Sequence, residues 1–266
     1  IDMKTPPLLS INVPLGLQMG NNSAVIKVQG NGYTNASNDN NSLQVKSGQT
    51  FALIGGDIYL KGGVIKVDSG KVELGSVKEG LVNINSSSES LLNYDDIEHF
   101  GNINFSKMAL ADASGEGSGS IQLKARNIFI GDGSKVFIQS RGLKSGGKIN
   151  VNATESIKVV GNSLDESFST TLLTETNNVG NAAKIEITTP SLLVSQGAVV
   201  ITQTFSSGRG GDINIDASES LQISESSPIN STNDTEISTL SFNSGAAGDI
   251  NISTIQLSIL REDIQS

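Results

Sequence analysis

The sequence predicts an all-β protein, a parallel β-helix with three strands per coil. Three observations carry that expectation. One short apolar motif recurs five times, as "GSIQLKA" (119–125), "GKINVNA" (147–153), "AKIEITT" (183–189), "GDINIDA" (211–217) and "GDINIST" (248–254). Its first isoleucines, Ile121, Ile149, Ile185, Ile213 and Ile250, are separated by 28, 36, 28 and 37 residues. No run of about ten residues carries apolar positions at helical spacing between caps; the nearest candidate, "SLLNYDDIEHF" from Ser90, reads equally well as a short strand and a turn.

Each copy of the motif alternates. Ile121, Leu123 and Ala125 face one way, and Gln122 and Lys124 the other, which is the period of a strand with one buried face. A second strand follows in each unit: "NIFIGDG" (127–133), "SIKVVGN" (156–162), "SLLVSQG" (191–197) and "SLQISES" (220–226). A third follows as "KVFIQS" (135–140), "AVVITQT" (198–204) and "TEISTLS" (235–241). Each unit is thus strand, turn, strand, turn, strand and a Gly/Ser loop. The differences in step length fall in the irregular stretches 162–170 and 226–234, since loops accept insertions that strands do not. Stacked units bury Ile, Leu and Val columns that one unit alone cannot cover. A β-sandwich competes on composition but gives no reason for repeated sequence.

Residues 1–104 are strand-rich with a looser repeat, and 105–266 carry repeats of about 28–37 residues, read together as one continuous solenoid. In the first part "AVIKVQG", "SLQVKSG", "TFALIGGDIYLKGG", "VIKVDSG", "KVELGSV" and "LVNINSS" follow closely. Gly55-Gly56, Gly62-Gly63 and Gly70 are expected to supply positive φ at corners. "DASGEGSGS", from Asp112, is the expected loop or seam between the parts. Roughly ten coils at about 4.8 Å each would make a rod of about 50 Å.

Composition narrows the function. A formal net charge of -9 argues against nucleic acid and against an anionic membrane surface as partners. With no Cys, disulfides, thiolate catalysis and Cys-ligated zinc are excluded, which suits a chain that crosses an envelope unfolded. No segment reaches the length of an apolar transmembrane helix. The start "IDMKTPPLLS" lacks the basic and apolar regions of a signal peptide, so any export signal is expected upstream, in a longer precursor.

The chain resembles the filamentous haemagglutinin-like exoproteins of two-partner secretion systems, especially the cyanobacterial ones. The resemblance rests on "NVPLGLQMGNNSAVIKVQG" (12–30), "LQVKSGQTFALIGGDIYLKGGVIKVDSGKVELGSV" (43–77), "ADASGEGSGSIQLKARNIFIGDGS" (111–134) and "GRGGDINIDASESLQIS" (208–224). It implies a right-handed parallel β-helix, secreted across the outer membrane by a dedicated pore-forming transporter and acting in adhesion. The Asn-Pro-Asn-Gly-type motif of the family's secretion domain is absent. The segment is therefore expected to begin in the last coils of that domain, with the transporter recognised through upstream sequence.

Several residues invite a sharper chemistry. Asp57, Asp212 and Asp249 follow glycines in "GGD"-like triplets, and repeated Gly/Asp motifs bind calcium in nonapeptide β-rolls. Here the spacing is about thirty residues, and Ser120, Lys148 and Lys184 stand at equivalent positions, so a turn and strand start is the preferred reading. His99, the single histidine, neighbours Asp95, Asp96 and Glu98 and could serve as metal ligand or base, but no second His or nucleophile accompanies it. Asp165-Glu166 cannot fix the separation a glycosidase needs. Of Arg126, Arg141, Arg209 and Arg261, none is expected in an acidic cluster. "SGRGG" (207–211) is not an Arg-Gly-Asp triplet, and the Asn-rich stretch 21–42 with Tyr33 reads as turns before it reads as a carbohydrate site. No catalytic residue, metal ligand or cofactor is assigned, and ligand-binding residues are left open.

The expectation for function is a secreted or surface-exposed adhesin that presents loops 162–170 and 226–234 on a rod to a host-cell, neighbouring-cell or glycan receptor. The alternatives are a polysaccharide-processing β-helix enzyme, marked by a groove combining clustered acids with Lys or Arg, and the passive stalk of a toxin-delivery exoprotein.

Overall fold

A computed structural model describes residues 15–34, 42–84, 92–117, 119–224, 226–227 and 234–260. Every regular element in it is a strand. In chain order these are β1 (Gly16–Met19), β2 (Ile26–Gln29), β3 (Leu43–Gln44), β4 (Thr50–Gly55), β5 (Ile58–Lys61), β6 (Val64–Lys66), β7 (Lys71–Ile84), β8 (Leu92–Asn93), β9 (His99–Phe100) and β10 (Asn102–Ser106). They continue as β11 (Leu110–Asp112), β12 (Ser120–Gly131), β13 (Lys135–Ser140), β14 (Lys148–Val160), β15 (Thr171–Thr176), β16 (Lys184–Ser195), β17 (Val199–Thr204), β18 (Ile213–Ser224), β19 (Glu236–Ser241) and β20 (Ile250–Leu260).

The strands stack in parallel on three faces, as a parallel β-helix requires. The first face holds β4, the start of β7 and the first halves of β12, β14, β16, β18 and β20. The second holds β2, β5, β10 and the second halves of the same five long strands. The third is the seven-stranded sheet β19-β17-β15-β13-β11-β6-β3. The repeat read from sequence is the register of the ladder: Ile121 pairs Ile149, then Ile185, Ile213 and Ile250. The first four are fully buried and belong to one apolar cluster running from Ile58 to Leu221. Completely burying such a side chain contributes about 1.5–3 kcal/mol, so each column stabilises the stack as a whole.

The two strands expected on either side of a turn, such as 119–125 and 127–133, are one bent strand. The register shifts between Ala125 and Asn127, and again at the same place in the next three coils. A corner this small needs only a local irregularity in the ladder, so pairing continues through it.

The looser repeat of the first part has a physical cause. After Lys71–Gly75, β7 leaves the first face and pairs antiparallel with β1, β8 and β9 outside the coil. Val77, Val82, Leu92, Tyr94, Ile97 and Phe100 form a separate core beneath this excursion. "KVELGSV" and "LVNINSS" are thus largely parts of one strand, and the second half of that strand is not a coil rung. "SLLNYDDIEHF" is two short strands and a turn rather than a helix, with Ser90 and Leu91 outside the described residues. The excursion also shortens the rod. The second face stacks eight strands among the described residues, a length of about 34 Å rather than 50 Å at about 4.8 Å per rung.

The corner glycines act differently from expectation. Only Gly62 of the five has a positive φ, 66°. Gly55, Gly56, Gly63 and Gly70 are needed for close approach instead: a Cβ on Gly56 would meet the Ser23 carbonyl, and one on Gly63 would meet Val28. "DASGEGSGS" is the return from β11 to β12, with Gly115 bridged to Ser140 and residue 118 outside the described set.

Two outcomes follow for stability, both read from urea midpoints. Ile185→Ala should cost about 2–5 kcal/mol, whereas Lys158→Ala, exposed on the second face, should stay within about 0.5 kcal/mol. Gly211→Ala, whose Cβ would run into the Ala183 carbonyl, should cost about 1–3 kcal/mol, whereas Gly20→Ala, with open space around it, should be neutral.

Candidate functional site

The "GGD"-like triplets are not equivalent. Asp212 and Asp249 precede first-face rungs, whereas Asp57 lies between β4 and β5, at the corner from which the excursion departs. Its Oδ2 is 2.8 Å from Lys78 Nζ, and its Oδ1 accepts the Asn102 amide at 2.8 Å. Lys78 is on the outgoing arm and Asn102 on the returning one, so Asp57 ties the root of the excursion together. Partial burial alone would raise its pKa, but the Lys78 and Asn102 bonds outweigh that and hold it below the usual carboxylate value.

Asp212 stands in a strand-start column of Ser120, Lys148, Lys184, Asp212 and Asp249, one per rung. Of the lysines that spoke against a calcium column, Lys184 is a counterion of Asp212. Lys184 Nζ lies 3.2 Å from Asp212, Arg209 reaches Asp212 at 2.5 Å and Asp249 at 2.8 Å, and Lys148 turns sideways to Glu186 at 2.9 Å. Like charges stacked on adjacent rungs repel, and Arg209 between the two aspartates removes that cost. Arg209 therefore does sit in an acidic cluster, contrary to the sequence expectation. Asp249 lies 40 residues away along the chain, and only the coil brings it near. Burial opposes ionisation of Asp212, yet the Asp249 amide, Arg209 and Lys184 bring its pKa down to about 2. In "SGRGG", Arg209 is thereby committed to these carboxylates, while a Cβ on Gly208 would meet the Gly180 carbonyl.

A second repeat went unread in the sequence: "TETNNVG" (174–180), "TQTFSSG" (202–208) and "TLSFNSG" (239–245). Its first threonine points inward and holds the end of the return loop. Thr174, Thr202 and Thr239 donate to the carbonyls of Ala183, Gly211 and Gly248 at 2.6, 2.5 and 2.9 Å. Its third residue holds the start of the loop: Thr176 and Thr204 donate to Gly180 and Gly208 at 2.5 and 2.6 Å, and Ser241 donates to Gly245. These hydroxyls satisfy carbonyls that the curving loops would otherwise bury unpaired. The signal was available as T-x-[TS]-x-x-x-G at steps of 28 and 37 residues.

The remaining candidates are dispersed. His99 is exposed on β9 opposite Glu79, while Asp95 accepts from Asn93 and Asp96 from Asn83. Among the described residues no group of three His, Cys, Asp or Glu side chains converges as a metal site would. Asp165 binds Ser163 and Ser167 within its own loop, and these hydrogen bonds lower its pKa. Glu166 turns away to accept Ser227 Oγ at 2.5 Å. Tyr33 is no open stacking ring. It is buried, its hydroxyl donates to Gly133 at 3.1 Å, its ring meets Phe168 edge-on at 4.9 Å, and burial pushes its pKa up to about 12. Residues 35–41 of the Asn-rich stretch, 228–233 of the second loop, and Arg261 lie outside the described residues.

The outer surfaces of the faces differ. The third face carries an apolar column, Phe137, Leu173 and Ile201, beside a hydrogen-bonded ladder in which Gln139 and Gln203 donate to Glu175 at 2.6 and 2.8 Å. The first face carries polar columns. One runs Glu73, Gln122, Asn150, Glu186, Asn214 and Asn251; beside it run Lys124, Asn152, Thr188, Asp216 and Ser253. Two adjoining hollows of about 580 and 530 Å³ lie over these columns, sharing Asn150 and Glu186, with the loop at Ser145 to Gly147 forming one wall. The first hollow combines Glu73 and Glu186 with Lys71, Lys148 and Lys184, the mixture named above as the mark of an enzyme. Its two acids are three rungs apart, about 14 Å at 4.8 Å per rung, well outside the roughly 5–10 Å that two-carboxylate glycosidases use. The second hollow has no Lys or Arg.

The charge ladder has a pH signature. Asp212 is ionised in the folded chain down to about pH 2, below its unfolded value, so its contribution is complete above about pH 4 and is lost as pH falls through about 2. Asp212→Asn should therefore lower stability by about 1 kcal/mol at neutral pH, and the gap from wild type should close on acidification, as followed by chemical denaturation across pH.

No curated protein and no solved structure matches the chain. Residues 1–123 match the family model of the TPS secretion domain, a span that takes in the excursion and the rungs that flank it. Over those residues the chain is thus similar to the TPS secretion domain of two-partner secretion exoproteins, a non-catalytic domain whose presence implies export across the outer membrane through a TpsB transporter.

Proposed function

We propose that the chain is a segment of a filamentous haemagglutinin-like adhesin of the cyanobacterial type, in which a β-helix rod presents binding loops outside the cell. The observation that carries this reading is the meeting of the two insertions. Loops 162–170 and 226–234 leave the same corner two coils apart, and the coil between them turns tightly at Gln196-Gly197. Ser227 Oγ donates to Glu166 across that gap, and Gly197 N donates to Thr235 Oγ1 at 2.8 Å. Phe168 packs against Tyr33 beneath the first loop, so the loop stands on a fixed base, while Leu164 at its tip is 99% exposed. A rigid base under an exposed apolar tip suits recognition, because little ordering entropy is lost on binding.

Residues 1–104 and 105–266 are read as one continuous solenoid, a reading supported by the buried cluster that spans both. The passive-stalk reading would gain from an effector domain encoded after Ser266. The enzyme reading is weakened by the spacing of Glu73 and Glu186.

Two measurements test the proposal. The full exoprotein should appear in the medium or on the cell surface only when its transporter is present. Beads coated with the purified chain should bind cells, and Leu164→Ser together with a shortened 226–234 loop should reduce that binding severalfold. Undiminished binding by the double variant would remove the loops from the function.

A further inference from the structure

We infer that the trough on the outer side of the first face is a binding site for a neutral, hydroxyl-rich polysaccharide lying along the rod axis. The inference rests on the adhesin reading and names a ligand class for a surface separate from the loops.

The argument starts from unmet hydrogen-bonding capacity. The side chains of Asn150, Thr188, Asp216 and Ser253 make no hydrogen bond or ion pair among the described residues, although their neighbours in the strand-start column are fully paired. Asn214 and Asn251 bond to each other at 3.0 Å and keep further donor and acceptor capacity. These groups are fixed on a rigid sheet and face one continuous hollow, so a ligand meets them already arranged.

The chemistry of the surface selects among occupants. The trough floor is the face of a fully laddered sheet, so it offers no free backbone edge for an added peptide strand. Its apolar lining residues, Ile187, Ile215 and Ile252, belong to one inward column rather than protruding as the anchors that dominate protein interfaces, and Ile252 is exposed, at 42%, on the last described rung. Glu186 and Asp216, in a chain of net charge -9, disfavour nucleic acid and acidic glycans. Carboxamides, hydroxyls and a carboxylate together match a polyol, which donates and accepts at every ring.

The geometry adds a length argument. The rung repeat of about 4.8 Å is close to the length of one pyranose unit in an extended glycan, so successive rings meet Asn150, Glu186, Asn214 and Asn251 in turn. From β14 to β20 this trough crosses four rungs, a span of about 14 Å. Each contact is weak, and affinity accumulates with chain length.

The test is native affinity electrophoresis of the chain in gels containing hydroxyethylcellulose, galactomannan or, as a polyanion, heparin. At least one neutral polymer should retard the protein, with little dependence on salt. The combined variant Asn150→Ala, Asn214→Ala and Asn251→Ala should weaken that retardation by about tenfold or more, the consequence of losing three hydrogen-bonding side chains. Thr188→Arg, which fills the trough from an exposed position, should do the same, with circular dichroism of both variants unchanged. Leu164→Ser should leave retardation intact. No retardation by either neutral polymer, retardation by heparin alone, or retardation that survives both trough variants would overturn the inference. Binding of cells to chain-coated beads separates the two readings: wild-type adhesion together with retardation that survives the trough variants leaves the adhesin and removes the trough, whereas no adhesion by the wild type removes the adhesin itself.

Discussion

The structure depends on one constraint, the vertical register that sets each apolar side chain over its counterpart one rung away. Ile121, Ile149, Ile185 and Ile213 are completely buried because each is covered above and below by another rung. At Ile250, on the last described rung, the same position is 40% exposed. No unit has a core of its own, so stability is a property of neighbours in the stack. A one-residue slip would turn every such column outward, which is why insertions are confined to corners and returns.

That register also organises what is not apolar. Outward residues fall into columns as strictly as inward ones do, so a charge on one rung must be answered on the next. Lys184, Arg209, Asp212 and Asp249 form such an answer, drawn from three rungs and a return loop. The inner polar residues obey the same logic. Thr174 and Thr202, on successive rungs, hold successive loops by the same bond to a carbonyl nine residues on. The first face then differs from the third in a way that no internal need explains, since the trough-facing side chains of Asn150, Thr188, Asp216 and Ser253 bond to nothing among the described residues.

The excursion from β7 shows where the repeat yields to another demand. It adds an antiparallel unit with a core around Val82, Tyr94 and Phe100, within the span that matches the TPS secretion domain. Asp57 closes its root between Lys78 and Asn102, so the coil resumes at β10 in register with β5.

The sequence by itself determined the all-β class, the rung repeat and the inward columns from Ile121 onward. Those features are local alternations repeated at fixed steps, and both alternation and repetition are visible in one dimension. It also placed the two insertions, because they lengthen the step. Only the tertiary structure decided which residues meet across rungs. Arg209 and Asp249 are far apart in the chain, Ser227 and Glu166 farther still, and nothing in their local sequence pairs them. The excursion was hidden for a similar reason: β7 keeps a strand-like composition while changing partners, and pairing direction leaves no mark on alternation. Tyr33 looked available in a polar stretch and is buried because a loop more than a hundred residues later sets Phe168 against it. Local periodicity follows from the backbone geometry of a strand; contacts between rungs follow from how many residues each coil spends on its corners, and that is settled only when the coils stack.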